Sequence, residues 1–355
     1  MKKLKFYWFW SLCLPIQWLI IQLLSQYPHF VENYYSTGIY VFISQSVRFL
    51  FGWVPFSIGD VLYLTAIYFI LKSIVKIIGH RKVRIVKTIG IFSVVYFAFN
   101  FLWGINYLRL PIDQSFKFED TQYTTGQLDL FANKLVQKIN GIQLKLTQND
   151  TVPVEIPYKK NEVYKKIKIG YDHLEKFIPS LHYKYQSSKN SIISLPLSYM
   201  GFSGYLNPFT GEAQVNSQIP LTSFPATSCH EVAHQLGYAA ENEANFIGFL
   251  AATHNDDLYF QYSGYLLALR YVLNNLYNHD KGKYKDLVKT INRGILKNMR
   301  RTQQHWAKYQ NPLEPIFKMI FDQYLKANKQ EAGVKSYSLL LGHLIKYEKQ
   351  NHFLN

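Results

Sequence analysis

The residues best suited to chemistry are His230-Glu231-Val232-Ala233-His234, followed closely by Glu241-Asn242-Glu243-Ala244-Asn245. On a helix, side chains four residues apart differ by only about 40° around the axis, so both imidazoles leave the same face. They can then reach one Zn²⁺ at about 2.0–2.1 Å, with Glu231 beside the metal and within reach of a bound water. The chemistry expected is peptide-bond hydrolysis by a zinc-activated water, with Glu231 as general base.

A catalytic zinc needs a third protein ligand and one open position. The residue six beyond the second histidine is Ala240, which rules out the spacing of metzincins. Glu241 and Glu243 are two apart, hence about 200° apart on a helix, and cannot both face one metal. Glu241 shares a stripe with the small residues Ala244 and Gly248, which makes it the first choice, with Glu243 as the alternative. Small residues on that stripe also let the second helix lie close to the first. Tyr262, Tyr265 or Arg270 on the following helix could act as a second electrophile. Cys229 adjoins His230, but one helical step turns its thiol away from the metal, so it reads as a buried structural residue.

These residues must be held by particular elements. Residues 223–236 are helix-compatible, and Gly237 is a C-terminal stop signal. Apolar spacing predicts helices at Leu128–Ile139 and Val163–Ile178. Ser191–Leu195 and Ala213–Asn216 read as short strands around a turn at Asn207–Gly211. The second could be an edge strand that pairs with extended substrate through Gln214, Val215 and Asn216, and Tyr265 is a further candidate for substrate contact. Residues 201–204 could form a flap or a plain turn. Helices continue to the end, with breaks near residues 278–283, 310–313 and 333. The class expected for residues 109–355 is mostly α, α+β, with a small sheet.

The 355 residues carry a formal charge of +16 at pH 7, and two cysteines exclude a disulfide framework. Residues 1–107 hold ten Lys/Arg and only two acids, Glu32 and Asp60. A basic but nearly acid-free stretch of this kind belongs to a membrane rather than to a nucleic-acid surface. Three helical spans are expected, at about residues 6–24, 61–79 and 88–108, each long enough for ~30 Å of hydrocarbon. Residues 33–59 read as an interfacial or re-entrant segment, with a fourth span as the alternative. The first span lacks a signal-peptidase site and reads as an uncleaved anchor. Three Lys at the N-terminus and six Lys/Arg at 72–87, against Arg48 alone at 26–60, put the N-terminus and the basic loop in the cytoplasm. Residues 109–355 are then extracytoplasmic, on a bacterial-type inner membrane. The motif lies far along the chain from any span, so cleavage inside the membrane is not expected.

H-E-x-x-H followed by Glu241-x-x-Ala244-Asn245 resembles the gluzincin group of zinc metallopeptidases, with Asn245 where Asp is more usual. That resemblance implies a zincin-like domain, with the glutamate of the second motif as third zinc ligand. Over its whole length the chain resembles a membrane-protein family catalogued as domain of unknown function 3810. The matching stretches are Val54–Asp60, Tyr199–Tyr205, Cys229–Phe246 and Gly333–Ser338. The family implies a membrane topology and a zinc site, but no substrate.

The partners expected are the lipid bilayer and a peptide or protein of the cell envelope, and no nucleic acid. A different class of function is a non-catalytic zinc-binding sensor or scaffold. The intact Glu231 argues against it, because a purely structural site has no need of a base.

Overall fold

The computed structural model of the chain describes residues 2–75, 81–118, 122–330 and 339–354. Lys76 of the basic loop, the end of the expected span 61–79, and the stretch Gly333–Ser338 lie outside the described residues.

The chain begins with α1 (Lys2–Leu24), then α2 (Pro28–Phe30), and a π-helical stretch Val31–Ile39 that runs into α3 (Tyr40–Phe51). α4 (Ile58–Val75) and α5 (Arg81–Leu102) follow. Among the described residues, Leu4–Leu24 in α1 and Arg84–Leu102 in α5 are long and apolar enough to cross a membrane. These two helices lie against one another. Ser11 Oγ donates to Val86 O (3.0 Å) and Gln17 Nε2 to Ser93 Oγ (3.1 Å). Gly90 permits the approach, since a Cβ there would stand 2.8 Å from Tyr7 O. α4 turns Ile67, Phe69, Ile70 and Leu71 outward.

The span expected at 88–108 is helical only as far as Leu102. Trp103 leaves the helix, and Gly104–Leu108 form a 3₁₀ turn in which Asn106, Tyr107 and Leu108 are buried. Asn106 Nδ2 holds Trp103 O at 2.9 Å, which satisfies a carbonyl that the helix has released.

The second part is mostly helical around a small mixed sheet. Its elements are α6 (Ile112–Ser115), α7 (Thr125–Thr147), α8 (Lys160–Glu175), β1 (Ser188–Asn190), α9 (Ser194–Met200), β2 (Gly204–Leu206) and β3 (Ala213–Val215). Then come α10 (Phe224–Gln235), α11 (Glu241–Thr253), α12 (Leu258–His279), α13 (Lys281–Thr290), α14 (Arg293–Ala307), α15 (Glu314–Ala327) and α16 (Leu340–Asn351). α7 starts where Thr124 and Gln127 cap each other's backbone, and it buries Leu128, Phe131, Leu135 and Ile139. The core gathers these with Tyr171, Phe224, Cys229, Val232, Phe249 and Leu269, so α10 and α11 sit at its centre.

Two strand expectations change. Ser191–Leu195 is not a strand, because Ser191 and Ser194 bind local backbone (Ile193 N to Ser191 Oγ, 3.2 Å; Ser194 Oγ to Ser191 O, 2.6 Å) and turn the chain into α9. β3 is not an edge strand. The sheet order is β1-β3-β2, with β1 parallel and β2 antiparallel to β3, so both edges of β3 are occupied.

Residues 31–60 are tied to the later chain rather than standing apart from it. Tyr40, Ser44 and Arg48 are buried, while Phe42, Phe49 and Trp53 face outward. Glu32 pairs with Arg109 through two bonds, at 2.6 and 2.9 Å. Asp60 accepts from Ser191 Oγ (3.0 Å), Ile192 N (2.7 Å) and Tyr205 Oη. The first turn of α4 presents Ile58 N and Gly59 N to Glu212 (3.1 and 2.5 Å), which also holds Lys189 Nζ at 2.5 Å. A boundary at 108/109, drawn from hydropathy, separates groups that the fold joins.

The Lys189–Glu212 pair is buried on both sides. Lys189→Met should lower stability by about 3–5 kcal/mol, because it leaves the Glu212 charge buried without its cation. Adding Glu212→Gln should recover part of that loss. Thermal unfolding of the full-length protein in detergent checks both, and an unchanged single variant would refute the clasp.

Candidate metal centre and active site

α10 carries both histidines, and Pro225 in its first turn suits a position where no backbone donor is needed. His230 and His234 bring their Nε2 atoms to 3.0 Å from each other. The His234 Nδ1–H donates to Tyr238 O (2.7 Å), so its Nε2 is a bare lone pair aimed at His230. α11 lies close across this face, and a Cβ on Gly248 would meet His230 N at 2.7 Å. The approach brings Glu241 Oε2 to 3.4 Å from His230 Nε2, and Glu241 Oε1 to 3.7 Å from His234 Nε2.

Three donor atoms therefore converge at 3.0, 3.4 and 3.7 Å. A tetrahedron with metal–ligand bonds of about 2.0–2.1 Å has edges of roughly 3.3 Å, so this donor set fits a small divalent cation. His230, Glu231 and His234 likewise form a metal-competent group, with one ligand atom from each within 4.8 Å of the others.

Electrostatics separate the two imidazoles. Burial and the neighbouring His230 push His234 down to about 4. For His230 burial pulls the same way, but Glu241, Glu231 and Asn245 outweigh it and leave the group raised. Asn245 is itself anchored, since its amide donates to Glu241 O at 2.8 Å.

Glu231 is buried, and burial pushes its pKa up to about 8. Its Oε2 has no hydrogen-bond partner among the described residues. Its Oε1 rests against Gly204 of β2, where a Cβ would lie 2.5 Å from that oxygen and 2.8 Å from Gln214 O. Glycine at this place lets a strand run directly past the carboxylate.

Glu243 goes elsewhere. It accepts from Ile112 N (2.8 Å), and burial raises it to about 7. Gln214, Val215 and Asn216 are buried supports that line neither cavity at the site. Gln214 binds Glu212, Val215 O accepts from Ser191 N, and Asn216 holds Ser198 Oγ and Phe202 O. Tyr265 packs on Phe249 in the core, and Tyr262 donates to Asn298 Oδ1 (2.8 Å). Among the three electrophile candidates, Arg270 alone borders the cleft. Cys229 is fully buried; its carbonyl accepts from Tyr171 Oη (2.6 Å), and burial raises its thiol.

Two cavities, of about 600 and 530 Å³, meet at His230 and Glu241. The second also takes in Glu231 and His234, and it is bordered by Tyr63 of α4, Phe99 of α5, and Trp103. The motif is thus remote from the apolar helices in sequence but adjacent to them in space. Sequence reasoning missed these aromatics, and it missed Trp103 Nε1 on His234 O (3.1 Å) and Arg109 on Gly237 O (3.0 Å) and over the Tyr238 ring. The one signal for them was that Trp103 and Arg109 flank the end of an apolar run.

Residues 35–345 match the family described as protein of unknown function (DUF3810), and the chain belongs to that family. No curated protein and no solved structure matches it. Three of the stretches singled out in the sequence have structural roles. Val54–Asp60 leads into the α4 turn that binds Glu212, residues 200–205 border the cleft, and Cys229–Phe246 carries the converging donors.

Gly204→Ala should cost about 1–3 kcal/mol by overpacking against Glu231 and β3. The double variant with Glu231→Ala should recover part of this, giving a coupling of roughly 1 kcal/mol. Unfolding of the four proteins in the cycle measures it, and strict additivity would show that the two residues do not touch.

Proposed function

We propose that this protein is a membrane-anchored zinc metallopeptidase, with a zincin-like domain in which His230, His234 and Glu241 hold the metal and Glu231 is the general base. The observation that carries this reading is the convergence of two imidazole nitrogens and one carboxylate beside a buried glutamate oxygen that has no partner among the described residues. A zinc ion held there would polarise a peptide carbonyl and make water acidic enough to attack near neutral pH.

The remaining steps belong to the chain. Glu231 takes a proton from the attacking water and returns it to the leaving amine. Among the described residues no donor competes for its Oε2, which leaves that oxygen open to the proton of the attacking water. Tyr238 O fixes the His234 tautomer. β2 is the terminal strand of the sheet and runs past Glu231, so its free edge is the place where an extended peptide would pair.

The anchor in this reading has three spans, within α1, α4 and α5, with the N-terminus and basic loop in the cytoplasm and the cleft outside. The side-chain bonds from α1 to α5 support retention of α1 as an anchor, and the apolar outer surface of α4 supports the third span. Its substrates are peptides or proteins of the cell envelope.

Zinc titration and peptide turnover of the full-length protein test the site. His230→Ala, His234→Ala and Glu241→Ala should each weaken zinc binding by more than about 100-fold, whereas Glu243→Ala should not. Glu231→Gln should keep the zinc and lose hydrolysis by about 100-fold or more. Hydrolysis that survives in that variant would overturn the mechanism. Zinc binding with no Glu231-dependent turnover would favour the sensor or scaffold. For topology, a reporter fused after Asn355 should signal outside the cytoplasm, and a cytoplasmic signal would overturn the orientation.

A further inference from the structure

The cleft has two arms of different chemistry. Both are bordered by residues 200–203, His230, Glu241 and Phe321. One is lined by Arg270, Gln310, Glu314 and Lys318 together with Trp306 and Tyr309, and so mixes charged with aromatic side chains. The other is walled by Tyr63, Phe99, Trp103, Tyr107, Phe209 and Tyr324. Tyr63 and Phe99 belong to α4 and α5, so this aromatic arm opens where the apolar helices end.

α15 roofs the junction. Phe321 and Tyr324 face the aromatic arm, and Leu325 is buried with Val31, Tyr35 and Trp103. On the adjoining face Ile316, Met319 and Ile320 are exposed, the last two by 58% and 57%, and so is Leu313 just before the helix. Its C-terminal end is pinned to both apolar helices. Lys329 Nζ donates to Gln22 Oε1 (2.7 Å), at the end of α1, and the Tyr324 ring lies 6.3 Å from that of Phe99. The aromatic arm, which Tyr324 and Phe99 both line, therefore lies beside the ends of α1 and α5, where a bilayer interface would run in the membrane-anchored reading.

We infer that the substrate is a polypeptide tethered in the same membrane and cut a few residues outside its own span. Its apolar juxtamembrane residues fill the aromatic arm, and its polar continuation leaves along Arg270 and Lys318. Tyr and Trp side chains are suited to this level, since they offer an apolar body and a polar tip. This rests on the peptidase reading and adds the substrate class to it.

The test uses wild-type and Glu231→Gln full-length protein in lipid vesicles, with three reporters that share one short randomised stretch. The first carries the stretch directly outside a transmembrane helix. The second is identical but separates stretch and helix by a long Gly/Ser spacer, which keeps the same surface density while moving the stretch from the bilayer. The third is soluble. Glu231-dependent cleavage, read by mass spectrometry of the new ends, should be at least roughly tenfold faster for the first reporter than for the second. Phe209→Ala should raise KM for the first reporter severalfold, with kcat and zinc content little changed. Equal or faster cleavage of the spaced or soluble reporter overturns the inference and leaves the peptidase reading standing. No Glu231-dependent cleavage of any reporter overturns the peptidase reading, and the inference with it.

Discussion

The carbonyls at the buried C-terminal end of α10 hold the apolar helices and the candidate site together. A helix leaves its last carbonyls without partners of its own, and away from water each needs a donor. His234 O takes the Trp103 indole, Gln235 O takes the Tyr40 and Ser44 hydroxyls (3.0 and 2.6 Å), and Gly237 O takes Arg109. All of these donors come from residues 40–109. The membrane-proximal chain thus completes the seat of the helix that carries both histidines.

A related constraint governs the carboxylates. A buried acid costs several kcal/mol unless it is paired or well hydrogen-bonded. The two acids of the first 107 residues, Glu32 and Asp60, both meet groups from later in the chain, as Glu212 meets the start of α4. Their scarcity in sequence reads as membrane character, and their positions mark where the two parts are clasped. Among the described residues Glu231 is the exception, a buried carboxylate with one oxygen unpartnered, and it lies in the cleft.

Features set by local periodicity were legible. The rise and turn of a helix put His230 and His234 on one face and separate Glu241 from Glu243, which the structure finds on different partners. The capped start of α7 and the stop at Gly237 also follow from neighbours in sequence. The strands were harder, because three residues carry little periodicity. Ser191–Leu195 has the composition of a strand, but its hydroxyls capture the backbone first. The place of β3 in the sheet depends on partners that lie up to 25 residues away.

From its own residues, the sequence determined the histidine–glutamate constellation, two of the three long apolar helices expected and a mostly helical second part, because each is a matter of spacing along one chain. Only the tertiary structure decided that these lie side by side. The end of the run at 88–108 folds under the His234 carbonyl, β2 rather than β3 is the outer strand beside Glu231, and Tyr63 and Phe99 wall the same cavity as the histidines. The physical reason is that buried carbonyls and carboxylates must find donors, and here those donors lie more than a hundred residues away in the chain.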